Sequence, residues 1–276
     1  MAWIHRRETS RVQPQALRAV SPVWRSRGLV ALFDTRAGIE LLHNNPASNL
    51  TSTLSPAVAG MAADFSGTAN QQYAHRPAYA TTGALTLVIM CEVDALSGYG
   101  ALIAKQATTT TYCPYELRIG DGSTDSKISF LRANTNYHIW SHSTDIVSAA
   151  ANTRQTLIFR TNGQARLEDA PTVIVNGVKT TLDTEFNSGV TGAVTDNGAS
   201  VWIGRRSDGA TQLDGRIYYV ALFNRAISDF EAFMLTANPW QLYAKRQRQV
   251  FRASAATTVP ARYYFDMLAG RGNLWG

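Results

Sequence analysis

Charge is scarce in this chain: only 17% of its 276 residues are Asp, Glu, Lys or Arg. Low charge with abundant Thr, Ala, Ser and Gly disfavours a helical bundle and fits a β-rich fold. Long apolar runs are missing too. No stretch approaches the roughly 18–20 residues that span a bilayer, so no membrane partner is expected. The first residues, "MAWIHRRETSRVQPQALRAV", lack the apolar core of a secretory signal, and export by a cleavable signal is not expected. Two cysteines, Cys91 and Cys113, say little about the fold. Cys91 sits in the apolar run "ALTLVIMCEV" and is expected as a buried free thiol, with a disulfide to Cys113 as the alternative. CxxC and HExxH spacings are absent, and His138 and His142 in "NYHIWSHS" fall in a strand or loop, where a spacing of four does not pair two ligands. Neither a G-x-S-x-G elbow nor a phosphate-cradling glycine loop occurs. No metal or cofactor is expected.

The charge present is unevenly placed. Residues 1–27 carry six arginines against Glu8, a net of +5, and residues 241–276 carry six basic side chains against Asp266, again +5. The total is +6, so residues 28–240 hold 14 basic and 18 acidic groups, a net of −4. A mildly acidic body therefore has two basic arms, and both arms contain large apolar residues that solvated tails seldom use. Trp3, Arg6, Arg7, Arg11 and Trp24 in the first arm are expected to bind a partner. So are Arg246, Arg248, Phe251, Arg252, Tyr263, Tyr264, Phe265 and Trp275 in the second, types enriched at interface hot spots. The acidic body disfavours nucleic acid.

Short strand-like runs fill the body. "LVALFD" (29–34) comes first, followed by "ALTLVIMCEV" (84–93), in which Leu85, Leu87, Ile89, Cys91 and Val93 share one face while Val88 and Met90 keep the other apolar. Such a strand belongs inside a packed sheet. "ALIAKQ" (101–106), "RQTLIFRTN" (154–162), "SVWIGRR" (200–206) and "GRIYYVALF" (215–223) read as strands, the last two joined by the loop chemistry of "SDGATQLD". "YELRIG" and "KISFLRA" flank Asp121-Gly122-Ser123, and Asn176-Gly177 splits "PTVIVNGVKT"; both are hairpin signals. Residues 35–80 are the poorest in signal: "HNNPASNLTSTLSPAVAG" is loop-like, and an early strand pair is expected in "MAADFSGTANQQYAHR". No helical periodicity separates the strands, which excludes βαβ architecture and leaves an antiparallel sandwich or barrel.

One helix follows the last strand. Ser228 and Glu231 form an S-x-x-E capping box, Phe230, Phe233 and Met234 are expected to dock on the sheet, and Asn238-Pro239 ends the element.

From Gly215 and Ile217 to Val220, Phe223, Asn224, Arg225, Ala226, Ile227, Ser228 and Glu231, "LDGRIYYVALFNRAISDFEAFMLTANPWQLY" resembles the C-terminal corner of laminin-G-like, concanavalin A-like domains of phage and bacterial proteins. The firm match covers about residues 200–243. The resemblance implies a two-sheet antiparallel jelly-roll sandwich with one short C-terminal helix, whose relatives bind glycans or proteins, hydrolyse polysaccharides or build virions. Many relatives carry acids where this chain has Tyr218 and Tyr219, which puts a cation site in doubt.

The expectation is an all-β sandwich at 28–242 between arms at 1–27 and 243–276. Its expected role is non-enzymatic: a phage virion component, made in the bacterial host cytoplasm, docking to other virion proteins as a homo-oligomer. The alternative is a lectin-like module for a host glycan, with Tyr99, Tyr112 and Trp140 as platform, and Tyr115 and Trp202 in the wider set. A polysaccharide hydrolase is the third reading. It would need paired carboxylates, for which Glu92 and Asp94, expected to face solvent at a strand end, or Asp183 and Glu185, are the nearest candidates.

Overall fold

A computed structural model describes residues 20–95, 98–106, 113–120, 126–133, 137–148, 153–163, 171–186, 194–196, 198–209 and 211–243. All strand ladders among them are antiparallel. The strands are β1 (Leu29–Asp34), β2 (Ile39–Glu40), β3 (Asn45–Leu50), β4 (Thr53–Ala57), β5 (Gly60–Asp64), β6 (Gln71–Tyr73), β7 (Leu85–Ala95) and β8 (Gly100–Lys105). Then come β9 (Cys113–Ile119), β10 (Ile128–Ala133), β11 (Tyr137–Ser141), β12 (Arg154–Thr161), β13 (Thr172–Val175), β14 (Val178–Thr181), β15 (Thr184–Phe186), β16 (Val201–Ile203) and β17 (Asp214–Phe223). Two short helices, α1 (Pro22–Ser26) and α2 (Asp229–Ala237), lie near the two ends of this body.

Pairing divides the strands into two sheets. Sheet I runs β14–β13–β12–β7–β17–β1–β2, and β5 with β4 joins the free start of β17. Sheet II runs β3–β6–β16–β8–β9–β10–β11–β15. Strand β3 links them, pairing with β2 at its start and β6 beyond. This is the sandwich that the resemblance implies, one of the two architectures left open by the strand series.

The interior lies between the sheets. Phe33, Leu87, Ile89, Leu157, Phe159, Val220 and Leu222 from sheet I meet Tyr73, Ile103, Tyr115, Leu117, Phe130 and Val201 from sheet II. Phe130 and Phe159 stack across the gap with centroids 4.0 Å apart. Sheet I also buries its other face, where Val88, Met90, Ile158, Tyr219 and Phe223 pack under Trp24, Ala232, Leu235, Trp240 and Leu242. The two-sided apolar pattern of β7 is thus explained: one face meets the second sheet and the other meets helices.

Strand β17 contains a bulge. Ile217 pairs with Cys91 and Tyr219 with Met90, which leaves Tyr218 as the extra residue. The bulge turns two consecutive tyrosines to the helix-covered face. The Tyr219 hydroxyl donates to the Pro239 carbonyl at 2.8 Å, and Tyr218 donates to Glu92 while accepting the Ala59 amide at 2.9 Å. In place of acids, these positions carry hydrogen-bonded core residues.

Several expectations need correction. Trp24, expected in the N-terminal arm, is 4% exposed and sits edge-on to Phe223 at 5.9 Å. The Ser21 amide donates to the Leu242 carbonyl and Val20 bridges Tyr243, so residues 20–27 pack with the body. Phe230, Phe233 and Met234 are exposed; Ala232 and Leu235 make the docking stripe instead. The capping box sets that rotation, because Glu231 must turn inward to reach the Ser228 amide at 2.9 Å and the Arg225 guanidinium at 2.6 Å. The loop-like "HNNPASNLTSTLSPAVAG" contains β3 and β4. The expected pair in "MAADFSGTANQQY" does not form: β5 joins sheet I and β6 joins sheet II.

Other local readings hold. Asn176 and Gly177 have φ of 49° and 92°, the positive values that a two-residue turn between Val175 and Val178 requires. Cys91 and Cys113 are buried and free. Among the described residues, no helix is long and apolar enough to cross a membrane.

The rotation of α2 is testable by chemical denaturation. Leu235→Ala is expected to cost about 2–5 kcal/mol, as for other buried leucines. Phe230→Ala should stay within about 0.5 kcal/mol, and the reverse ranking would refute the assigned face.

Candidate functional site

Sheet II has one face in the core and the other turned outward. In β9, Tyr115, Leu117 and Ile119 point inward, so Glu116 and Arg118 point out. Register aligns Trp202 of β16, Ala104 of β8, Glu116 and Leu131 of β10 in one outward row. The next row holds Ala101, Arg118 and Ser129.

Tyr99 joins this face from the segment before β8. Its position depends on Gly120, which has φ +90° and lies so close that a Cβ would come within 2.1 Å of the Gly98 carbonyl oxygen. The Arg118 guanidinium sits over the Tyr99 ring, 4.0 Å from its centroid, a cation–π stack. The hairpin after β16, closed by the Arg205–Gln212 bridge and a left-handed Gly209, adds Arg206 and Asp208. The Arg206 Nε donates to Asp208 Oδ1 at 2.8 Å, and Nη2 donates to Oδ2, a two-point fork.

Three glutamates among the described residues have no exposed surface: Glu40, Glu92 and Glu116. Glu40 accepts the amides of Leu32, Leu42 and His43 at 2.9–3.0 Å and the Tyr79 hydroxyl at 3.1 Å, and has His43 Nδ1 at 2.8 Å. Glu92 accepts the Val58 amide and Arg216 Nη1, each at 2.9 Å, and the Tyr218 hydroxyl. Glu116 accepts nothing: both carboxylate oxygens are buried without a hydrogen-bond partner, and its nearest cation, Arg118 Nη1, is 3.8 Å away. Arg118 is 7% exposed, and its Nε is likewise buried and unpaired. Burial pushes the Glu116 carboxyl above its ordinary range, against the opposing pull of Arg118 and Arg206. A buried carboxylate without donors costs several kcal/mol. Two acceptor oxygens and an Nε–H without partners, next to the Tyr99 ring on which Arg118 stacks, form a set that a polar ligand would complete.

The sequence-derived candidates distribute as follows. Tyr99 is half-buried in this site, and Trp202 is half-buried at the end of its central row. Tyr115 is fully buried in the interior and is no platform. Trp140 lies in β11 opposite Phe130 and Glu185, and its side chain lies outside the described residues. Tyr112 is outside them, as are Trp3, Arg6, Arg7, Arg11, Arg246, Arg248, Phe251, Arg252, Tyr263, Tyr264, Phe265 and Trp275. Glu116, Arg118 and Arg206 were not anticipated. Their signal is the alternation in "YELRIG", which puts Glu and Arg where an outward strand face would ordinarily carry Thr or Ser.

The hydrolase pairs do not assemble as expected. Glu92 is buried, not solvent-facing, and Arg216 clamps it together with Asp94 at 2.9 and 3.0 Å. Asp183 accepts the Ser143 amide and hydroxyl at 2.7 and 2.6 Å, which hold its carboxyl below the usual range and keep it ionised. An acid held ionised is poorly suited to protonate a leaving group. Among the described residues no group of three or more His, Cys, Asp or Glu is arranged to hold a metal ion.

Stability tests the state of Glu116. A carboxyl whose folded pKa is raised binds protons more readily folded than unfolded, so its penalty is full above the raised pKa and fades as pH falls towards 4.5. Glu116→Gln is expected to melt above wild type at pH 7, the gap narrowing towards pH 4.5. A lower melting temperature at pH 7 would mean that the carboxylate is a structural asset.

No protein-family model matches the chain, and no curated protein matches its sequence. Solved structures match its fold. Domain 4 of AbnA, a GH43 extracellular arabinanase from Geobacillus stearothermophilus solved in complex with arabinotriose, superposes with TM-score 0.56 at 15% identity. That match covers 76% of this chain and 98% of the domain. The botulinum neurotoxin serotype G binding domain gives 0.53 at 10% identity, with 75% of this chain and 50% of that chain covered. A Trypanosoma rangeli sialidase in complex with 2,3-difluorosialic acid gives 0.56 at 17%, covering 82% of this chain and 36% of that one. The chain thus spans nearly all of the arabinanase domain, half of the toxin domain and about a third of the sialidase. At these identities the likeness establishes the β-sandwich fold, and this chain shares that fold with binding domains of toxins and with domains of glycosidases.

Proposed function

We propose that this chain is a non-catalytic, lectin-like carbohydrate-binding module whose ligand face is the outer surface of sheet II. The observation that carries the reading is Glu116: of three fully buried glutamates, it alone has no donor. Sugar hydroxyls both donate and accept. Two such groups could give protons to the Glu116 oxygens while a third oxygen takes the free Arg118 N–H, and the Tyr99 and Trp202 rings offer apolar surface to the C–H faces of the sugar. The fold match to an arabinanase domain solved with arabinotriose supports this reading, as does the match to a toxin domain named for binding. The saturated Glu92 and the ionised Asp183 support a non-catalytic role.

The second reading, docking within a phage virion as a homo-oligomer, rests on the corner motif and the aromatic, basic arms. It makes a different demand, since ending the chain at Tyr243 should then abolish incorporation into particles.

Glycan-array binding tests the module. Wild type should bind a restricted set of glycans, and Tyr99→Ala, Trp202→Ala and Glu116→Gln should each weaken that binding by about tenfold or more, roughly 1.4 kcal/mol, with circular dichroism unchanged. The chain ending at Tyr243 should bind as the full chain does. Binding that survives all three substitutions would move the ligand elsewhere, and no binding by wild type would remove the module reading.

A further inference from the structure

We propose that Glu116 sets the charge class of the ligand, so that the outer face of sheet II accepts neutral sugars and rejects acidic ones. This rests on reading that face as a glycan site. Among the described residues, the charged groups there are Glu116, Arg118, Arg206 and Asp208, two of each sign. Two neighbouring cations are committed elsewhere. The Lys105 ammonium meets Asp196. The Arg132 Nη1 and Nη2 atoms donate to the carbonyls of Gly163, Thr81 and Gly83.

The hydrogen-bonding inventory points the same way. The Arg206 fork is occupied by Asp208 at two points, so the geometry best suited to clamp a ligand carboxylate is already used. Arg118 is stacked on Tyr99 with Nη1 3.8 Å from Glu116, beyond hydrogen-bond reach, and its Nε is buried without a partner. Both Glu116 oxygens are buried acceptors without a donor. A carboxylate or sulfate brings acceptors only and would place a second anion beside a buried first one, where repulsion is weakly screened. A pair of vicinal hydroxyls supplies the protons that Glu116 lacks at no cost in charge.

Glu116→Gln then does more than weaken binding. It replaces the anion with an amide that can donate, and removes one negative charge from the site. The test measures wild type, Glu116→Gln and Glu116→Asp against matched probes: lactose with 3′-sialyllactose, and galactotriose with trigalacturonate, on an array and by titration calorimetry. Wild type should favour the neutral member of a bound pair by tenfold or more, and Glu116→Gln should shift the neutral-to-acidic ratio at least tenfold towards the acid. Glu116→Asp keeps the charge and should keep the preference even if both affinities fall. Tighter wild-type binding of the acidic member, or an unchanged ratio in Glu116→Gln, overturns the charge filter while the binding site stands. If wild type binds neither member of either pair nor any other glycan on the array, the site reading falls and the filter falls with it.

Discussion

Sheet I is apolar on both faces, and the need to cover both organises the rest of the molecule. Strand β7 sends Leu85, Leu87, Ile89, Cys91 and Val93 to one side and Val88 and Met90 to the other. A second sheet can bury only one of those sides. The other is buried by segments from far apart in the chain: α1 near one end of the body, and α2 with the 3-10 turn Pro239–Leu242 near the other. Trp24 and Leu235 therefore serve one surface, and the Ser21–Leu242 hydrogen bond at 2.8 Å joins the two segments that carry them. The bulge at Tyr218 belongs to the same constraint. It places a phenol on the covered face within reach of Glu92, where regular alternation would have pointed it into the sandwich.

Buried carboxylates show how thoroughly the fold meets its polar obligations. Glu40 ties β1 to the turn after β2 by collecting backbone amides from both. Glu92 holds the β4–β5 hairpin against β17 through the Val58 amide, Tyr218 and Arg216. Each is a rigid staple because every strong acceptor site is used, and breaking either would strand a charge in a low-dielectric interior. Glu116 lies in the same protein under the same physics with none of those partners. The contrast is internal to one chain, so it does not depend on what proteins in general tolerate.

Much of the fold was legible because it rests on local pattern. The two-faced run 84–93, the Asn176-Gly177 turn and the Ser228/Glu231 box each carry their physics within a few residues, and each formed as read. Elsewhere the deciding partner is distant in sequence. Strands β3 and β4 contain Asn, Pro and Ser and are held by ladders to β6 and β5, so propensity does not reveal them. The exposed face of α2 was misread because Phe and Met outrank Ala in hydrophobicity, whereas the Glu231 contacts to Ser228 and Arg225 decide which side turns inward. Of the site, Tyr99 and Trp202 were visible as aromatic candidates. Glu116 and Arg118 were hidden in a good strand, since alternation predicts that they face outward but not that their surroundings leave them dry and unpaired.

The candidate site belongs to sheet II. In the outward row of β9 a buried carboxylate stands without a donor. There β9 is central, flanked by β8 and β10, not an edge strand that water reaches from the side. A threonine at position 116 would suit a sheet surface and would carry no charge to desolvate. Glutamate there, two residues before an arginine stacked on Tyr99, serves the fold worse than the residue it displaces. Departures from local consistency of this kind concentrate where a protein meets something other than itself. The cost is borne at the centre of a rigid sheet, where neighbouring strands hold each side chain in place, and that is where a preorganised recognition surface is most effective.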